Sequence, residues 1–126
     1  DKNNVQGIKI TNIELSFGSG SGLPALKKVI EISELPVNVF SLNDEIAAGI
    51  ITNMKNFGLR CPDEVGVLGF DGLSLGRYLN PSLRSVAFPF FEIGKTAAKI
   101  FERVMVDEKA DKKTVLQASV TDGDSI

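Results

Sequence analysis

A run of six residues without a polar side chain, from Val65 to Phe70, ends directly at Asp71. Strands of a parallel sheet that is covered on both faces are apolar at nearly every position, whereas a strand with one wet face alternates apolar and polar residues. Six residues are also shorter than a typical buried helix. The run therefore predicts a central parallel strand, and parallel neighbours require long crossover connections, usually helices.

Strand-like and helix-like patterns alternate along the rest of the 126-residue chain. The predicted strands are Ile13–Ser16, Val37–Leu42, Val65–Phe70, Leu83–Phe88 and Thr114–Thr121, and the predicted helices between them are Leu23–Ile30, Asp44–Phe57, Leu73–Leu79 and Glu92–Val106. Regular alternation specifies right-handed crossovers in one sheet. The fold class that we expect is α/β, an open and mostly parallel sheet with helices on both faces, followed by a polar tail at residues 122–125.

Composition excludes several kinds of chemistry within this chain. It contains no histidine and a single cysteine, Cys61, so a Cys/His zinc cluster, a Ser-His triad, a Cys-His dyad and an intrachain disulfide are ruled out. The net charge of −2 offers no basic stripe for nucleic acid. No apolar run approaches the roughly 20 residues of a membrane span, and the first residues lack a signal-peptide pattern. We expect a soluble chain without metal or cofactor.

The candidate binding residues follow the predicted strands. Phe17, Asn43 and Asp71 each come where a strand ends, and the carboxyl ends of parallel strands meet at one edge of the sheet. An asparagine amide donates and accepts, a carboxylate accepts from two adjacent hydroxyls, and a phenylalanine ring offers a flat apolar wall. These are the groups that a sugar or nucleoside pocket requires.

Simpler interpretations of the same residues remain open. Asn43 and Asp44 at a helix start serve most often as a cap, Asp71 could form only a turn, and an isolated Phe17 is commonly core. Asp44 and Asp71 also invite an acid–base hydrolase, but no nucleophile–base pair accompanies them.

A glycine-rich turn at residues 18–22 raises a further alternative. Gly20-x-Gly22-x-x-Ala25 satisfies a minimal dinucleotide fingerprint. The acid that should end the next strand falls instead at a helix start, as Asp44. A flexible turn capped by Ser21 or Gly22 is the competing interpretation.

Five blocks of sequence resemble the effector-binding core of the lactose/galactose-repressor family of bacterial transcription regulators. They are Pro36–Phe40, Asn43–Gly49, Phe57–Asp71, Tyr78–Val86 and Glu92–Ala98. The resemblance implies a type I periplasmic-binding-protein fold, in which two lobes hinge around a small-molecule effector. It also implies a helix-turn-helix headpiece that binds DNA as a dimer.

The resemblance also assigns residues. The family's aromatic wall falls on Phe17, its strand-end asparagine on Asn43, its hydroxyl-binding aspartate on Asp71, and a further pocket position on Phe90. We expect Asp44 to cap its helix, with Asn43 turned toward the effector. Gly72 is expected to support the turn after Asp71. One departure is that Gly123 stands where the family usually carries an arginine.

The same resemblance implies an organisation and partners. Residues 1–83 correspond to the second lobe, incomplete at its start, and residues 84–126 to the hinge crossover, a helix that packs toward the first lobe, and a closing strand. We expect a cytoplasmic, non-enzymatic sensor of a sugar or related metabolite. Contact with DNA would run only through a headpiece outside this chain, and there would be no contact with a membrane. Homodimers would form through the outer faces of the helices at 46–53 and 73–79, and the family's effector-anchoring arginine would lie before Asp1.

Two other functions stay open from the sequence. A periplasmic or secreted sugar-binding protein of the same fold would deliver its ligand to a transporter. A dinucleotide-binding enzyme domain is the less favoured alternative.

Overall fold

The computed structural model describes residues 4–5, 8–15, 19–106 and 113–126. Within these ranges, six strands and three α-helices follow in the order β1 (Asn4–Val5), β2 (Ile8–Lys9), α1 (Gly22–Ile32), β3 (Val37–Phe40), α2 (Asp44–Met54), β4 (Val65–Asp71), β5 (Arg84–Ala87), α3 (Phe90–Met105) and β6 (Ser119–Val120). Short 3-10 helices span Ser19–Ser21, Lys55–Phe57 and Ser74–Tyr78. No helix of these described residues is long and apolar enough to cross a membrane.

The main sheet has the strand order β3-β4-β5-β6. β4 pairs in parallel with β3 on one side and with β5 on the other, and β6 closes the sheet antiparallel to β5. The expected α/β class with a mostly parallel open sheet is therefore confirmed. β1 and β2 form a separate antiparallel pair.

One face of the sheet carries the hydrophobic core. Val65 and Val67 are fully buried, and the register places Val37 and Val39 beside them on the same face. They pack against residues of α1 and α2, and the buried cluster consists of Ala25, Leu26, Ala47, Ile50, Ile51, Met54, Val65, Val67 and Leu83. The apolar periodicity of both helices thus faces the sheet, as expected from a helix stripe that must be buried.

The opposite face is open within the part of the chain that the structure describes. Phe40 on that face is 56% exposed, and α3 has no buried residue. Cover by described helices is thus seen on one face only. A continuous apolar run indicates that both faces of a strand can be buried. It does not indicate which segment of the chain packs on the second face.

Predicted strands at the two ends of the chain were wrong or too long. Residues 13–15 belong to no strand, and Ser16 lies outside the described residues. Leu15 is 38% exposed. Two alternating apolar residues do not form a strand unless a neighbouring strand pairs with their backbone groups. Of the predicted final strand, Thr114–Thr121, only β6 forms, which is the part that pairs with β5. Gly58, with φ of 67°, terminates the helical segment as predicted.

The closing residues do more than form a polar tail, which corrects that prediction. Ser125 is fully buried: its hydroxyl donates to the Val67 carbonyl at 2.6 Å and accepts from the Arg84 amide at 2.9 Å. A Cβ on Gly123 would overlap the backbone of Leu83 and Arg84, so the arginine usual in the family has no room here without a backbone shift. Burial of the neighbouring thiol raises the pKa of Cys61 to about 11.

Candidate effector site

Asn43, rather than Asp44, caps α2. Asn43 has an extended backbone, and its Oδ1 accepts from the Ile46 amide at 2.8 Å. The predicted cap at Asp44 is therefore wrong, because a capping residue lies half outside the helix, whereas Asp44 is already part of α2. Among the described residues no acceptor contacts Asn43 Nδ2, so this half-buried amide retains two donors at the carboxyl edge of the sheet.

Asp44 is fully buried, and its carboxylate joins three elements. Oδ2 accepts from the Leu73 amide at 2.6 Å, and Oδ1 accepts from the Ser85 hydroxyl at 2.6 Å. Leu73 follows β4, and Ser85 lies in β5. Both oxygens of the carboxylate thus have donors, as a buried charge requires. Asp44 therefore supports the site through long-range contacts.

Asp71 ends β4 in a backbone conformation that is rare for a residue with a side chain. Its φ is 120°, and the next residue, Gly72, has φ of 76°. A Cβ on Gly72 would overlap Ala87, so glycine is required there both by its φ and by the close approach of β5. Strained backbone of this kind is concentrated at binding and catalytic sites.

The charge environment of Asp71 is acidic. Partial burial, followed by the nearby carboxylates of Asp44 and Glu45, raises the pKa of Asp71 above its ordinary value. Among the residues that the structure describes, no cation contributes to that shift. A ligand hydroxyl that donates to this carboxylate would replace lost hydration without adding negative charge, which suits a neutral polyol.

Four phenylalanines form a row of ring contacts across the same edge. The ring centroids of Phe40 and Phe70 are 5.8 Å apart, those of Phe70 and Phe88 are 4.8 Å apart, and those of Phe88 and Phe90 are 5.9 Å apart. The first two contacts are edge-to-face, a favoured arrangement of aromatic pairs. Phe90 is 55% exposed at the end of the row. The predicted aromatic wall, Phe17, lies outside the described residues.

The sequence prediction named Phe90 but missed Phe40, Phe70 and Phe88. The signal was present, because Phe40 ends β3 and Phe70 is the penultimate residue of β4. A cleft of about 690 Å³ lies beside this edge and is lined in part by Gly72, Ser85 and Thr121, but neither Asn43 nor Asp71 lines it. The strand-end residues are the better candidates for a binding site, because they combine an unusual backbone at Asp71, free amide donors at Asn43 and exposed aromatic surface at Phe90.

The glycine-rich turn has a packing explanation. A Cβ on Gly22 would overlap Gly49, so these two glycines allow α1 and α2 to approach closely. No strand precedes the turn among residues 11–15, where the dinucleotide fingerprint needs one. Among the described residues there is also no group of three or more side chains that could hold a metal ion.

A parallel sheet with polar and aromatic residues along its carboxyl edge is the architecture of one lobe of a periplasmic-binding-protein-like domain. The family described as periplasmic binding protein-like domain matches residues 6–126. The chain belongs to this family.

Relatives within the family are transcription regulators. Catabolite control protein A of Priestia megaterium is 32% identical over 103 residues, which are 82% of this chain and 31% of that protein. The HTH-type transcriptional repressor PurR of Vibrio atlanticus is 32% identical over 101 residues, 80% of this chain and 30% of that protein. These matches confirm the resemblance to the lactose/galactose repressors. The chain spans about a third of the length of these relatives.

Solved structures agree with this assignment. A LacI family transcriptional regulator from Enterococcus faecium with bound ribose is 27% identical, with a TM-score of 0.76, and the match covers 86% of this chain and 40% of that one. The Escherichia coli repressor ascG, at 20% identity, has the same fold with a TM-score of 0.82, and covers 95% of this chain and 45% of that one.

Proposed function

We propose that this chain is the effector-sensing part of a LacI-type transcription regulator and that its effector is a sugar. The observation that carries the proposal is Asp71, a half-buried carboxylate that is held in a strained conformation at the end of the central strand. A rigid acceptor of this kind recognises adjacent hydroxyls of a polyol.

The neighbouring groups support the same ligand class. Asn43 offers amide donors after β3, the strand that pairs with β4, and Phe90 offers exposed aromatic surface at the edge of the sheet. Phe17 is proposed as a second aromatic wall. The regulator from Enterococcus faecium that shares 27% identity was solved with ribose. Ribose is therefore the first probe to test.

The partners of the whole protein are part of the same proposal. DNA would be bound by a helix-turn-helix headpiece outside this chain, since the chain itself has a net charge of −2. Residues 84–126 would form the crossover toward a first lobe, and two copies would pair through the outer surfaces of residues 46–53 and 73–79. The regulator would act in the cytoplasm, where its operator is.

The test measures ribose affinity of the intact protein by calorimetry, with other pentoses and hexoses as a panel. Asp71→Ala is expected to lower affinity about 30- to 150-fold, because a hydrogen bond to a charged group is worth about 2–3 kcal/mol. Asp63→Ala removes an exposed carboxylate that pairs with Arg60 and serves as the matched control. Equal sugar affinity in both variants would refute the assignment of Asp71.

A further inference from the structure

Hydrogen bonds from two consecutive backbone amides connect the turn after Asp71 to the carboxylate of Asp44. The Leu73 amide donates directly to Asp44 Oδ2 at 2.6 Å. The Gly72 amide donates to the Ser85 hydroxyl at 3.2 Å, and that hydroxyl donates to Asp44 Oδ1 at 2.6 Å. Asp44 therefore holds the Leu73 amide directly and the Gly72 amide through the Ser85 hydroxyl.

These bonds act where the backbone needs restraint. A residue with a side chain at φ of 120° stays there only if its surroundings over-determine the conformation. The β4 ladder fixes Asp71 from the preceding side, since Asp71 pairs with Ala87 and its carbonyl accepts from the Phe88 amide at 3.3 Å. The Asp44 carboxylate supplies the restraint on the following side.

The charge and depth of Asp44 suit this task. Hydrogen bonds to a carboxylate are shorter and about twice as strong as those between neutral groups, which agrees with the two distances of 2.6 Å. The same hydrogen-bonded group continues to Thr121, the residue directly after β6, because the Ser85 amide donates to the Thr121 hydroxyl at 2.9 Å. The hydrogen bonds thus connect α2, β5 and the segment that follows β6.

We infer that Asp44 is a positioning residue for effector binding: it fixes the turn at Gly72 and Leu73 and thereby directs the Asp71 carboxylate toward the ligand. The inference rests on the proposed function, which makes Asp71 the ligand contact. It assigns Asp44 no contact with the effector, because its two carboxylate oxygens are occupied by Leu73 and Ser85.

The test uses the intact protein with ribose as the probe. Asp44→Asn replaces one acceptor by a donor that faces the Leu73 amide or the Ser85 hydroxyl, and it is expected to weaken ribose binding at least tenfold. In an Asp71→Asn background the same change is expected to cost less than threefold, because its effect passes through the Asp71 carboxylate. Equal losses in the two backgrounds would overturn the inference.

A milder variant and a matched control guard against simple destabilisation. Ser85→Ala removes the hydroxyl between Gly72 and Asp44 and is expected to weaken ribose binding about three- to tenfold. Ser125→Ala removes a buried hydroxyl that bridges β4 and β5 away from the turn, and it is expected to leave ribose affinity unchanged. A loss in Ser125→Ala equal to that in Ser85→Ala would contradict a positioning role.

A readout without ligand separates this inference from the proposed function. The Leu73 amide proton, in a short bond to a carboxylate, is expected to resonate far downfield in an NMR spectrum and to move upfield in Asp44→Asn. The Asp71 carboxyl is expected to titrate at lower pH in that variant, because a neighbouring negative charge is gone. If wild-type protein binds no sugar but both spectral changes occur, the sugar assignment fails while the anchor stands. Unchanged spectra would refute the anchor itself.

Discussion

At the scale of single residues, Asp71 combines three features that are separately unfavourable. Its backbone is strained, its carboxylate is partly desolvated, and the charges that shift its pKa, those of Asp44 and Glu45, are also negative. Natural chains retain such features where a ligand repays them. The sequence placed Asp71 at the end of a strand, but its φ and its charge environment depend on Gly72, Ala87 and Asp44, which pack around it only in the folded chain.

Replacement of Asp71 by glycine is expected to stabilise the protein while it removes sugar binding. Relief of strain is worth about 1–3 kcal/mol, and the added freedom of glycine in the unfolded chain offsets about 0.4–1 kcal/mol of that. We expect a net gain of about 1 kcal/mol in urea denaturation. Asp71→Asn keeps the side chain at the same φ and is the control, so a glycine variant no more stable than the asparagine variant would argue against backbone strain.

The raised pKa of Asp71 predicts a pH dependence of stability. A carboxyl whose pKa is higher in the folded than in the unfolded state holds its proton more tightly when folded, so the free energy of unfolding falls as pH rises between those two pKa values. Relative to Asp71→Asn, the wild type should lose stability as pH rises from about 4, near the unfolded pKa, and the difference should then level off. Urea midpoints of both proteins from pH 3.5 to 7 measure this. A difference that grows as pH falls would contradict the sign.

At the scale of elements, the contacts between helices decide which glycines matter. Gly22 and Gly49 face each other where α1 crosses α2, and a Cβ on either would overlap the other's backbone. Gly94 in α3 meets nothing within 4 Å at its own Cβ position. The sequence showed three glycines without this distinction, because it depends on which two helices touch.

The same substitution should therefore have opposite effects in two helices. Gly49→Ala is expected to destabilise the protein by about 1–3 kcal/mol, because the added methyl forces α1 and α2 apart. Gly94→Ala is expected to stabilise it by up to about 1 kcal/mol through helix propensity. Chemical denaturation of both variants measures the contrast. A stabilising Gly49→Ala would show that the helices have room to adjust.

At the scale of the whole molecule, the described residues bury one face of the sheet under helices and leave the other face exposed. The face under α1 and α2 contains the core, whereas Phe40 and the ring row lie on the other side. In the regulator that we propose, an effector site between two lobes would use the carboxyl edge of this sheet as one of its walls. This geometry couples ligand binding to lobe closure in our proposal.

In the intact protein, the effector should change the affinity for operator DNA by the same factor as operator DNA changes the affinity for the effector. By thermodynamic linkage, if ribose changes operator affinity tenfold, operator DNA must change ribose affinity tenfold in the same direction. Fluorescence anisotropy with labelled operator and calorimetry with ribose measure the two sides. Asp71→Ala should abolish the effect of ribose on operator affinity. Ribose binding without any effect on DNA would favour the alternative of a sugar carrier.

Local patterns in the sequence were enough to predict the α/β class, the central strand and the residues at its end. Burial dictates which positions are apolar within each helix and strand, so apolar runs and helical periodicity can be recognised without knowledge of distant contacts. The sequence also carried the family resemblance that the comparisons confirm. The cap of α2 is local, since Asn43 accepts from the Ile46 amide, and the sequence left open only which of Asn43 and Asp44 would form it. Tertiary contacts, in contrast, hold Asp44 against the turn after Asp71 and bury Ser125 between strands. These two outcomes depend on partners far away in the sequence, Ser85 for Asp44 and Val67 for Ser125, and spacing along the chain does not encode which distant groups will meet.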